Sequence, residues 1–316
     1  MRTIGSVMAA SSHPQRPTSR GAERVAAIAA MTQHPAMPGV LLGLFTSIHA
    51  LNQGNRLVNI LMSDRARMMM GWMTLFLDAS HDPQDPLSGL TVNRFKALCA
   101  RAGLCSPGRG AATLGLMRFA GYLEPATRAA RGLPLRLMPT EKLVAPLRAR
   151  LEFGLTALTR LRPEGAVGLA RLNDPVFFKR LLRCLGEQFL ERERLVDHAP
   201  ALWFFAERKG GLLILMALML SAQPDDPLPP SGPMSVSVKE LARRNAVARA
   251  QVRELLRGGV EAGLLIKHAK NGNTYRMTPK LRADVANFIG AVLLLLADAV
   301  TQAQNEIAGD PDSATC

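Results

Sequence analysis

At 316 residues and 34.2 kDa the chain has the length of about two average domains, and an apolar content of 48% can fill cores of that size, which excludes a fully disordered protein. Aromatics make up only 5%, which favours helices over a many-stranded sandwich or barrel. The four cysteines, Cys99, Cys105, Cys184 and Cys316, lack paired spacing, so a zinc ribbon, a secreted disulfide scaffold and any metal site lose support and a reducing cytoplasm is expected.

In chain order, Met1–Gln33 carries arginine, serine and alanine without a continuous apolar stretch, and residues 1–36 are expected to be a disordered tail. A first repeat is expected over 37–162, a second over 168–308, and a short disordered tail over 309–316. The longest apolar runs, Gly211–Ala222 and Ile289–Ala297, fall short of the roughly 20 residues that cross a bilayer, so no membrane contact is predicted.

The formal net charge of +14 is unevenly placed. Residues 90–136 sum to +7 and residues 235–282 to +8, leaving −1 for the other 221. Two windows therefore hold the whole excess, as two contact surfaces for one polyanion would. The same windows expose a repeat. Phe95–Arg101 matches Val238–Arg244 at a separation of 143 residues, and Ala120–Leu123 matches Ala262–Leu265 at 142. A Met- and Leu-rich helix precedes each match (Met68–Leu77, Leu212–Leu220) and a long helical stretch follows (Thr140–Leu161, Pro279–Ile307). Arg162-Pro163-Glu164-Gly165 punctuates the boundary.

In the second window Val238–Arg244 has helical spacing, Asn245–Ala248 reads as a turn, and Arg249–Val260 places Val252, Leu255, Leu256 and Val260 on one face. Arg249, Arg253 and Arg257 stack at i, i+4 and i+8 on another, a repulsion that an anionic partner would turn into affinity. Leu264–Lys267 and Thr274–Met277 are β-prone runs around Asn271-Gly272, a strong hairpin signal. In the first window Ser106-Pro107 marks a helix start, with a helix to about Phe119 and a hairpin over Glu124–Leu137.

Helix, turn, helix and basic hairpin in this order resemble a winged helix-turn-helix, and the flanking helices resemble those of the MarR family of bacterial transcription regulators. The fold class expected is mainly α: two tandem winged helix-turn-helix modules, each flanked by long helices, with small β-hairpin wings. The resemblance implies a second helix in the major groove, a wing on phosphate or the minor groove, and terminal helices that assemble homodimers. Sequence-specific contact with double-stranded DNA is then expected from Ser106, Arg109, Thr113, Arg118, Arg249, Gln251, Arg253 and Arg257, and from wing residues Arg128, Arg131, Lys267, Lys270, Asn273 and Arg276. The expected protein is a nucleoid-associated transcription regulator whose two unlike modules act as a pseudo-dimer. Two other classes stay open: a plasmid or phage replication initiator with tandem winged helices, and a winged-helix scaffold that meets an acidic protein. The six histidines are scattered, and no HExxH, nucleophile elbow, P-loop or Rossmann pattern occurs, so neither catalysis nor a cofactor is expected; a small-molecule effector is unassigned. The aromatics Phe177, Phe178, Phe189, Trp203, Phe204 and Phe205 read as core, and Cys99 and Cys105 as buried, inert thiols.

Overall fold

The computed structural model describes residues 19–52, 65–126, 134–191, 195–245, 247–268 and 272–309. They are mainly helical, with two small antiparallel sheets. The first half runs α1 (Ser19–Thr32), α2 (Met37–Asn52), α3 (Arg65–Ala79), α4 (Val92–Arg101), α5 (Pro107–Phe119), β1 (Leu123–Pro125), β2 (Leu137–Pro139) and α6 (Glu141–Leu158). The second runs α7 (Glu164–Arg171), α8 (Pro175–Glu191), two short 3-10 turns, α9 (Trp203–Ala206), α10 (Gly211–Met219), β3 (Met234–Ser235), α11 (Val238–Arg244), α12 (Arg249–Glu261), β4 (Leu265–Lys267), β5 (Thr274–Met277) and α13 (Pro279–Ala308).

The helix starts follow local chemistry. Thr91, Ser106, Ser237 and Thr278 each accept from a backbone N–H of the first turn, and Pro107 and Pro279 follow two of them at positions where a missing N–H costs nothing. α5 and α12 end alike: Gly121 and Gly263 lie 142 residues apart in the left-handed region, at φ +72 and +66. Matched hydrogen bonds carry the repeat through the turns. Gly121 N donates to Arg118 O as Gly263 N does to Val260 O, and Tyr122 N to Met117 O as Leu264 N to Gly259 O. Between the preceding helices, Leu104 N donates to Cys99 O and Val247 N to Ala242 O, 143 residues on. Each hairpin gains one more strand-like contact than expected: Leu90 bridges Leu137 in the first half, and β3 pairs β5 in the second, giving the order β3-β5-β4.

The repeat reaches further upstream than the basic windows. His34 Nδ1 accepts from Ala36 N at 3.2 Å just as Asp174 Oδ1 accepts from Val176 N at 2.9 Å, at a separation of 140 residues. This matches α1 and α2 to α7 and α8. Residues 19–36, expected to be a solvated tail, are therefore corrected: Arg24, Ala27, Ile28 and Met31 recur at helical spacing, Ile28 and Met31 are buried, and Arg24 reaches Asp298 at 3.1 Å. A short amphipathic face needs no continuous apolar run. Residues 1–18 and 310–316, the remainder of the expected tails, lie outside the described residues.

The two halves interlock. α1 of the first half packs on α13 of the second, and α7 of the second on α6 of the first; α3 packs on α8, and α10 on α2. These contacts come in reciprocal pairs, as at an interface where each partner offers the same surface. α6 and α13 also touch each other, and a single apolar cluster spans both halves. Close approach at the seam is enforced by small residues: a Cβ on Gly168 would lie 2.6 Å from Leu155 and 2.8 Å from Val300, and one on Gly186 would overlap the Phe76 ring. The apolar faces of α6 and α13 are largely buried within the chain. α13 is also long and apolar enough to cross a bilayer, with 61% of its most apolar stretch buried in the fold; α1 and α2 together pass the same test as a pair bent by 86°. The run Ile289–Ala297 is only the middle of that 30-residue helix.

Candidate nucleic-acid interface

In the second half, α12 turns Val252, Leu255 and Leu256 into the core and leaves Arg249, Arg253 and Arg257 exposed on its outer side. Among the described residues Arg249 and Arg253 have no acidic partner. Arg257 stands 3.8 Å from Glu261, with both side chains about 70% exposed (72% and 66%), a pairing worth little in water. Ala248 puts no capping side chain on the N-terminus of α12, so its first N–H groups keep their partial positive charge for another acceptor. On the preceding α11 Glu240 binds both Arg243 and Arg244, and those guanidiniums hold its carboxyl down at about 2.

Gln251 departs from expectation. Its amide Nε2 donates to Lys209 O at 3.0 Å, which ties α12 to the loop before α10 instead of leaving the amide open toward a base. On the hairpin Lys267, Asn273 and Arg276 are exposed; Arg276 Nε donates to Ser231 O at 3.2 Å, a brace that positions the guanidinium. Lys270 and Asn271 lie outside the described residues, as do Arg128 and Arg131 of the first hairpin.

In the first half Arg109 and Arg118 are exposed on α5, whereas Ser106 spends its hydroxyl on Arg109 N at 3.4 Å. Thr113 is half-buried and matches the buried Leu255, which removes it from the outward face. Three exposed cations lie outside the expected set: Arg94 and Arg101 on α4, which packs on α5, and Lys142, which donates to Ala120 O at the end of α5 at 2.7 Å. Their charge was visible in the sequence, but which way they point depends on how α4 crosses α5. Arg136, also in the first basic window, turns inward toward Asp78 at 3.7 Å.

Another cationic cluster is engaged within the fold. A cavity of about 670 Å³ between α3 and α8 is lined by His81, Lys179, Arg180 and Arg183, yet both arginines are paired with Glu306 of α13. The aromatics expected in the core are there: Phe177 and Phe205 are fully buried, and Phe178, Phe189, Trp203 and Phe204 pack against the same cluster. Cys99 sits beside Cys105, and burial pushes its thiol up to about 12, far from a reactive thiolate. Among the described residues no three His, Cys, Asp or Glu side chains gather to hold a metal.

No protein-family model, no curated protein and no solved structure matches the chain.

Proposed function

We propose that the chain is a sequence-specific, double-stranded DNA-binding regulator built from two winged-helix modules that pair inside one polypeptide. The observation that carries this is α12: three exposed arginines along one helix, two of them in no ion pair among the described residues, beside an uncapped N-terminus and a hairpin bearing Lys267 and Arg276. Unpaired like charges at this spacing weaken a free-standing helix, and a phosphate backbone reverses that sign. Arg249 and Arg253 suit guanine edges in the major groove, and the hairpin cations suit phosphate. The reciprocal packing of α1 with α13 and α6 with α7 supports the pairing, because it joins the modules as a symmetric dimer would.

Binding of the intact chain to random duplex, measured against salt, tests this. Affinity is expected to fall steeply, with a log–log slope of about −0.9 for each phosphate engaged. Changing Arg249→Ala and Arg253→Ala together is expected to reduce sequence preference more than general affinity and to flatten the slope by up to about two units. A slope near zero for the unaltered chain would instead favour a scaffold that meets an acidic protein.

A further inference from the structure

We infer that the two modules meet DNA with unequal chemistry, so that the target is non-palindromic: one half is held through phosphate and guanine by α12, and the other is an A·T-rich stretch faced by the uncharged side of α5. The inference rests on the DNA-binding reading above and adds what each half recognises.

The two helices are in register. At a separation of 142 residues, buried Gly110, Leu114 and Met117 of α5 match buried Val252, Leu256 and Gly259 of α12. Their outward positions therefore correspond as well. Where α12 carries Arg249, Arg253 and Arg257, α5 carries Pro107, Ala111 and Gly115; where α12 ends on Gly258 and Glu261, α5 presents Leu116 and Phe119. Leu116 is 60% and Phe119 91% exposed, so folding gains only part of the possible burial from the first and almost nothing from the second. Gly115 has nothing within 4 Å of the place a Cβ would take, so no neighbour in the fold requires the gap.

The surroundings of this apolar face select its occupant. Arg109 and Arg118 on the same helix, and Arg94 and Arg101 on α4 packed against it, are all exposed, which complements a phosphate backbone. Within the major groove the thymine C5-methyl is the apolar group a Leu or Phe can touch, and a helix side bare at Gly108, Ala112 and Gly115 can come close to it. Ser106 caps the N-terminus of α5, so phosphate contact on this half falls to those arginines, whereas the N-terminus of α12 carries no side-chain cap.

The test selects duplexes from a random pool with the intact chain, then replaces thymine by deoxyuridine in one half of the selected site at a time. A non-palindromic site bound by one chain is expected. Deoxyuridine in its A·T-rich half should weaken binding about fourfold per contacted methyl, and in the other half should change nothing. The variant carrying Leu116→Ala and Phe119→Ala, both exposed side chains, should fold normally, keep the salt slope and lose the response to deoxyuridine. A palindrome bound by one chain, or no response to methyl removal despite steep salt dependence, overturns this inference and leaves DNA binding standing. Loss of affinity for an apolar protein partner but not for duplex in the double variant overturns it as well, whereas salt-independent or absent duplex binding overturns both.

Discussion

His49 illustrates how a single side chain couples the halves. Its Nε2 lies 3.3 Å from a guanidinium nitrogen of Arg244, so the ring accepts there and must be neutral. Burial first, and then the Arg244 charge, hold its pKa below the ordinary 6.5. Protons therefore bind the unfolded chain more readily, and the contribution of His49 is complete above pH 6.5 and lost as pH falls from 6.5 toward the depressed folded value. His81 shifts the same way, chiefly through burial and then through Arg136 and Lys179. Urea midpoints measured between pH 7.5 and 5.5 should fall, and His49→Gln should make that fall shallower; an unchanged profile would contradict the contact. Gln251 shows the limit of residue-level reading. Its helical position was legible from the pattern around Val252 and Leu255, but the bond to Lys209 O spans 42 residues and depends on where the loop before α10 returns.

The helices and hairpins separate what sequence can encode locally from what it cannot. α11 and α12 begin at the residues their patterns predict, because Ser237 caps one and apolar residues recur at helical spacing in both. Ser106-Pro107 likewise marks the start of α5. β3 and the Leu90 bridge escaped notice because two residues or one carry no periodicity; they are strand-like only through pairing with β5 and β2. α1 escaped because its amphipathic face has meaning only with α13 alongside. The matched left-handed glycines support a direct comparison. Gly263→Ala should cost about 1 kcal/mol from backbone strain alone, since nothing lies within 4 Å of its Cβ position. Gly115→Ala, mid-helix with equally open space, should stabilise by about 0.5–1 kcal/mol. Thermal unfolding of the two variants in parallel checks both signs, and stabilisation by the first or loss by the second would contradict the backbone assignment.

Across the whole molecule, reciprocal contacts between halves make folding a joint property of the repeats. α13 is buried against α1, α6, α7 and α8, so neither repeat can keep its core without the other. Equilibrium unfolding in urea should show one transition by far-ultraviolet and tryptophan signals together; two resolved transitions would mean independent repeats. Gly186→Ala drives a methyl into the Phe76 ring at the α3–α8 seam and should destabilise by about 3 kcal/mol, lowering that shared midpoint. The structural correspondence of the two halves was legible at the basic windows, where both helices end on a left-handed glycine, Gly121 and Gly263. Its extension to α1 and α7 was hidden because His34 and Asp174 make the same hydrogen bond with different side chains.

In the proposed DNA-binding reading the interlocked halves hold α5 and α12 as two fixed contacts, and hydroxyl-radical footprinting of the intact chain on its selected duplex tests this most directly. Two protected patches centred about one helical turn, roughly 34 Å, apart are expected, with only one of them lost when Arg249→Ala and Arg253→Ala are combined. A single patch, or simultaneous loss of both patches while overall affinity is retained, would contradict the account.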